Sequence, residues 1–182
     1  MKKNITILHG YGETPDSFWY PYVKKQLESK GYTVFIPQLP HTDNPNLPEQ
    51  LDFALQHIHF DTQTILIGHS SGCPLILAIL ENISPTIHQA IFVAGYATPL
   101  TVGRKNTKNI KEHFDWNTIK KHCEKFIFIN AQNDPWGADD KQGKIMFDNL
   151  GGILIINQEG HMGSDTFKQP YKEFPFLVSL LQ

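Results

Sequence analysis

The run Thr64-Ile65-Leu66-Ile67-Gly68-His69-Ser70-Ser71-Gly72-Cys73-Pro74-Leu75-Ile76-Leu77-Ala78-Ile79-Leu80-Glu81 decides how this chain folds. Its first four residues are aliphatic or β-branched and read as a strand buried on both faces. Its last nine read as an apolar helix, with Pro74 in the first turn, where a missing N–H costs little. Between them stands Gly68-x-Ser70-x-Gly72. A strand that enters a helix through so short a turn strains the middle residue and leaves no room for Cβ atoms two positions to either side. The serine hydroxyl then projects above the end of the strand, the arrangement of a nucleophile elbow. The pentapeptide alone also fits a plain glycine-rich connection. An acid and a base at set places later in the chain decide between the two readings.

Working outward, residues 5–8, 33–36, 90–93, 126–129 and 153–156 are further short apolar runs of strand type. Helical patterns separate them. Trp19, Val23 and Leu27 fall on one face, closed by Gly31, and Leu51, Leu55 and Ile58 make a second stripe. The helix after the elbow is expected from about Pro74 to Glu81 or beyond, with others over residues 116–121, 139–149 and 174–181. This alternation predicts an α/β protein: about six strands, mostly parallel, with helices on both faces. No repeat or linker divides the chain, so residues 1–182 are expected to form one domain. Residues 37–48, rich in Pro, Asn and Asp, read as a surface connection. Residues 98–111 are polar and too few for a folded lid, though enough for the remnant of a cap.

Bulk composition excludes several classes. The 182 residues are 40% hydrophobic and 19% charged, with a formal net charge of −2. Nothing here favours nucleic acid or an anionic membrane. Arg104, Lys105, Lys108 and Lys111 read as a solvated loop. Cys73 and Cys123 form no framework, and Cys73 reads as a small buried hydrophobe, which suits a reduced cytoplasmic compartment. The apolar run after Lys2-Lys3 is too short for a signal peptide, and no stretch is long enough to span a bilayer. His57 and His59, two apart, would diverge on a helix and make no metal pair.

A serine hydroxyl needs a base to become a nucleophile, usually a histidine oriented by a carboxylate. In doubly wound hydrolases these follow the serine in the order acid, then histidine, on loops after later strands. Asp134 lies in Asn133-Asp134-Pro135 just past the fifth run, and His161 in Gly160-His161-Met162-Gly163 just past the sixth. Asp134 also suits a turn before proline. Asp139 and Asp140 are nearby rivals but resemble a helix start. The expected triad is therefore Ser70, Asp134 and His161. The oxyanion donors are expected to be the backbone N–H of Ser71 and that of Tyr11, in the glycine-bearing tetrad His9-Gly10-Tyr11-Gly12. Trp19 and Trp136 are expected to line the substrate cleft. No metal or cofactor is implied.

Taken together, His9-Gly10-Tyr11, Ser17-Phe18-Trp19-Tyr20-Pro21, Gly68-His69-Ser70-Ser71-Gly72, Ala94-Gly95-Tyr96-Ala97, Phe114-Asp115-Trp116, Asn133-Asp134-Pro135 and Gly160-His161 give the chain a family likeness. It resembles the small α/β-hydrolases of the retinoblastoma-binding-protein-9 and YdeN type over nearly its whole length. The resemblance implies a minimal α/β-hydrolase fold without a lid domain. It also implies serine hydrolase activity, carboxylesterase-like, on small-molecule esters or amides. No protein partner follows from it, since neither cysteine lies in an L-x-C-x-E motif. The alternative is a protein-interaction module that keeps the fold with little turnover.

Overall fold

The computed structural model describes residues 3–100, 102 and 107–181. The cap remnant expected over residues 98–111 falls partly outside these residues, and Gly103, Arg104 and Lys105 lie outside them altogether. Six strands, Asn4–Leu8 (β1), Thr33–Phe35 (β2), Thr64–His69 (β3), Gln89–Val93 (β4), Phe126–Ala131 (β5) and Ile153–Asn157 (β6), pair in the order β2-β1-β3-β4-β5-β6. Every pairing among them is parallel. The helices are Tyr20–Ser29 (α1), Leu47–His57 (α2), Gly72–Asn82 (α3), Trp116–Lys121 (α4), Asp140–Leu150 (α5) and Pro175–Ser179 (α6), with a 3₁₀ turn at Thr107–Asn109. Among the described residues no separate lid domain stands over the sheet. The chain runs from β1 outward to β2, then returns past β1 to β3. That reversal makes the C-terminal ends of β1 and β3 a switch point, where open α/β sheets bind ligands.

Between polar residues near their ends, the central strands are apolar because both faces are covered. Ile65 and Ile67 of β3, Ile91 and Val93 of β4, and Ile127 and Ile129 of β5 point to one face, where α1 and α6 pack with Tyr20, Val23, Leu27 and Leu177. Leu66, Ala90, Phe92, Phe126 and Phe128 point to the other, against α2, α3, α4 and α5. Alternation is thus present in space but invisible in residue type. Helix α3 lies deepest: every residue from Gly72 to Leu80 is buried. The edge strand β6 is less covered, and Ile153 and Ile156 are exposed.

Local signals set the boundaries. Pro21 and Pro48 sit in the first turns of α1 and α2, and Gly31, just past α1, has φ +90°. Helix α3 begins at Gly72, two residues before the expected start, because the turn after Ser70 feeds directly into it. The segment 37–48 does more than connect. Leu39 and Leu47 are buried, the Leu39 N–H donates to His9 Nε2 at 3.1 Å, and Thr42 O accepts the Gly12 N–H at 2.7 Å.

Gly72 packs on the exit of β1: an added Cβ would stand 2.1 Å from Leu8 O and 3.1 Å from His9 O, both backbone atoms. Gly72→Ala is therefore expected to cost about 3 kcal/mol, the upper part of the usual overpacking range. Gly12, at φ +69° with nothing within 4 Å of its added Cβ, should lose only about 1 kcal/mol on replacement by alanine. Urea midpoints at unchanged slope test the contrast; equal losses would show that backbone conformation rather than packing sets the cost.

Candidate active site

Four loops meet above the C-terminal ends of β1, β3, β5 and β6. Ser70 follows β3 directly with φ +51°, a left-handed conformation that a non-glycine residue adopts only under constraint. Its N–H donates to Val93 O at 3.0 Å and its carbonyl accepts from the Cys73 N–H at 3.0 Å, fixing the turn from both sides. A Cβ on Gly68 would meet the backbone of Gly72 at 2.9 Å, so both glycines are required by contact. Ser71 is the N-cap of α3. The first amides of that helix lack intrahelical acceptors and favour negative charge.

The loop after β1 is pinned at Gly10 and at Tyr11. The Gly10 N–H donates to Glu13 Oε2 at 2.6 Å, and the Tyr11 hydroxyl donates to Asp43 O at 2.5 Å. His9 accepts from Leu39 at Nε2, so its proton sits on Nδ1, which donates to Gly10 O at 3.2 Å. Burial, partly offset by that carbonyl and by Glu13, holds the His9 pKa below its usual value, and the ring is neutral.

Asp134 and His161 are in direct contact: His161 Nδ1 lies 2.7 Å from Asp134 Oδ2, with both side chains buried. Asp134 Oδ1 accepts the Trp136 N–H at 2.8 Å, leaving neither oxygen without a donor. With Nδ1–H committed to the carboxylate, Nε2 carries the lone pair of the neutral ring. The rival acid has other work. Asp139 is the N-cap of α5, its carboxylate accepting from the N–H groups of Lys141 and Gln142 at 3.0 and 3.4 Å.

The His161 loop is held chiefly by residues that the sequence reading left aside. Its N–H donates to Gln169 Oε1 at 2.9 Å, and the Gly160 N–H donates to Asn133 Oδ1 at 2.9 Å. Met162 O accepts the Trp19 indole N–H at 3.0 Å, and His161 O lies 2.9 Å from His69 Nε2. His69 immediately precedes Ser70, and its ring centroid is 5.1 Å from that of His161. The serine turn and the histidine loop are thus joined one residue away from Ser70. Asn133 was legible beside Asp134, and His69 within the pentapeptide; Gln169 and Glu13 carried no signal.

One expectation needs correction. Trp19 does not line a cleft: it has no exposed surface and packs edge-on against Tyr20, His69 and Phe174. Its place at the start of α1 turns the indole inward, where it braces the His161 loop. Trp136 is half-buried, with its ring 6.4 Å from His161 and 4.9 Å from the exposed Phe167. A cavity of about 350 Å³ opens at the other end of the strands, lined by Gln89, Lys120, Cys123 and Gly152 among others. Its lining holds Lys120, Glu124 and Lys125 but no serine, and the Asp134–His161 contact lies at the opposite, Ser70 end of the sheet. Among the described residues no group of three or more side chains could hold a metal, and no helix is long and apolar enough to cross a membrane.

A parallel six-stranded sheet, a strained serine between β3 and α3, and an acid–histidine contact beyond β5 and β6 define an α/β-hydrolase. The chain belongs to the serine hydrolase family, whose pattern it matches over residues 5–182. It is similar to YdeN of Bacillus subtilis, 29% identical over 137 residues that cover 74% of this chain and 72% of that protein. Serine hydrolase RBBP9 of Rattus norvegicus is 27% identical over 166 residues, covering 88% and 87%. The crystal structure of the ydeN gene product superposes with a TM-score of 0.88 at 25% identity, over 99% of this chain and 97% of that one. The α/β-hydrolase domain-containing protein 10 from mouse shares the fold, with a TM-score of 0.69 at 14% identity over 98% and 87%.

The division of labour between neighbouring acids is testable by stability. Asp139→Ala, which removes the α5 cap, should cost about 1 kcal/mol. Thermal unfolding of the purified variant measures this; no change in midpoint would mean that the cap contributes nothing to α5.

Proposed function

We propose that this protein is a carboxylesterase-like enzyme that cleaves small esters or amides through an acyl-enzyme on Ser70. The observation that carries this reading is the 2.7 Å contact between His161 Nδ1 and Asp134 Oδ2, on a loop bonded to the residue before Ser70. In the proposed mechanism His161 Nε2 accepts the Ser70 proton as Oγ attacks the substrate carbonyl. Asp134 holds the ring in the required tautomer and stabilises the imidazolium. The N–H groups of Tyr11 and Ser71 hold the oxyanion, aided by the N-terminal end of α3. Collapse expels the alcohol or amine, which takes its proton from His161. Water then attacks the acyl-enzyme, His161 accepts its proton, and the acid leaves as Ser70 recovers its own. A reduced cytoplasmic compartment suits the two free buried cysteines.

Labelling with a fluorophosphonate probe tests the nucleophile. Wild type should label and Ser70→Ala should not, while both give the same circular dichroism spectrum. An unlabelled wild type would favour an interaction module on this fold. Asp134→Asn should stay folded and lose roughly 10⁴-fold in kcat, because the amide favours the wrong tautomer; wild-type turnover in that variant would remove Asp134 from the mechanism.

Substrate size follows from the walls. The Trp136–Phe167 pair offers aromatic surface beside His161, and Tyr11 adds a further ring on the loop after β1. A short acyl chain can be buried there at about 0.8 kcal/mol per methylene, whereas longer chains would extend into water. Across p-nitrophenyl esters from acetate to palmitate, kcat/KM is expected to rise over the first few carbons and then level or fall. A maximum among the long chains would contradict the shallow cleft.

A further inference from the structure

We propose that Glu13 and His69 form a buried carboxylate–imidazolium pair that positions the loops of Tyr11 and His161 about Ser70. The proposal rests on the hydrolase reading for its catalytic consequence and on geometry for the pair itself. Glu13 lies on the loop after β1 and is 7% exposed; His69 ends β3 and has no exposed surface. His69 Nδ1 is 3.2 Å from Glu13 Oε1, and its Nε2 is 2.9 Å from His161 O.

The hydrogen-bond inventory sets the protonation state. A backbone carbonyl can only accept, so Nε2 carries a proton. Glu13 Oε2 already receives the Gly10 N–H at 2.6 Å and the Tyr20 hydroxyl, the environment of an ionised carboxylate. Nδ1 faces that carboxylate and, at 2.8 Å, the oxygen of the Tyr20 hydroxyl, whose O–H donates to Glu13. Both partners accept, so Nδ1 is protonated too and the ring is charged. The remaining surroundings agree. Burial opposes the charge on His69, but Glu13, the His161 carbonyl and Asp134 together outweigh it and lift the pKa above its usual value. Burial likewise opposes ionisation of Glu13, which His69, Tyr20 and the Gly10 amide outweigh. Burial and Glu13 push Tyr20 well up, so it remains a donor. Neutral His9, the protonated thiol of Cys73 and the His161 ring, 5.1 Å away centroid to centroid, are the further titratable neighbours. The rings of Phe18 and Trp19 also pack steeply against it, with centroids 6.1 and 5.9 Å from that of His69.

Through this pair the Gly10 amide, next to Tyr11, and the His161 carbonyl are tied to the residue before Ser70. Glu13 and His69 touch no reacting atom; they are positioning residues. Loss of the His69–His161 bond would let the imidazole drift from Ser70 Oγ. A misplacement of about 1 Å costs on the order of 10²-fold in rate, and it would fall on kcat rather than KM.

Nitrogen-15 NMR of the histidine rings reads the pair without turnover. In wild type and in Ser70→Ala, both ring nitrogens of His69 should carry protons from pH 6 to pH 8. In Glu13→Gln, Nδ1 should lose its proton while Nε2 keeps its own. A neutral His69 in the wild type at pH 7 would overturn the proposal. In ester assays, His69→Leu should lose on the order of 10²-fold in kcat at nearly unchanged KM. His69→Gln, whose amide can still reach His161 O, should recover at least about tenfold of that loss. Wild-type kcat in His69→Leu, or no recovery in a folded His69→Gln, would also overturn it. Absence of probe labelling in wild type would instead refute the hydrolase reading, and the NMR result would still decide the pair.

Discussion

Between the first turn of α3 and the exit of β1 there is no space for a side chain, and the geometry above the sheet follows from that contact. With hydrogen in place of Cβ at positions 68 and 72, strand β3 can turn into α3 within two residues. The turn delivers Ser70 in a left-handed conformation beside the loop that bears Tyr11. The strain costs on the order of 1–3 kcal/mol. It persists because bonds to Val93 and Cys73 and the buried flank of α3 over-determine the backbone.

The same logic extends to the acid side of the site. Asn130, fully buried at the end of β5, donates to Gly95 O and Ala138 O at 2.9 Å each. It thereby staples the exits of β4 and β5 to the start of α5, on either side of Asp134. Its own carbonyl oxygen is buried without a hydrogen-bond partner and faces Gly143, where an added Cβ would approach to 2.5 Å. An unsatisfied buried acceptor costs about 1–3 kcal/mol, comparable to what the two donated bonds contribute at about 0.5–1.5 kcal/mol each. Helix α5 carries a glycine in its interior because the asparagine needs that space.

Much of this could be read along the chain, for a physical reason. Buried parallel strands are written as continuous apolar runs, and the elbow glycines stand at fixed offsets from the serine. Asp134 and His161 sit just past strand ends, where the topology gathers ligand-facing groups. Such features depend on neighbours in sequence. Trp19, Glu13 and Gln169 depend on neighbours in space. An aromatic residue after the first strand looks the same whether it faces a ligand or the core, and only the indole bond to Met162 O decides it. Glu13 reads as a loop carboxylate until His69, fifty-six positions later, is seen beside it. Residues 37–48 looked like a surface connection because composition reports exposure on average and misses the two buried leucines that dock the segment.

The strain at position 70 has a further consequence for how such a site can diversify. The glycines at 68 and 72 and the backbone bonds to Val93 and Cys73 hold the turn, and none of them involves the serine side chain. The chemistry of the side chain displayed at position 70 is therefore separable from the architecture that presents it. A thiol or a carboxylate at this one position would be displayed at the same point above the sheet. What stands at position 70 is set by one side chain, whereas the geometry that presents it is distributed over Gly68, Gly72, Val93 and Cys73.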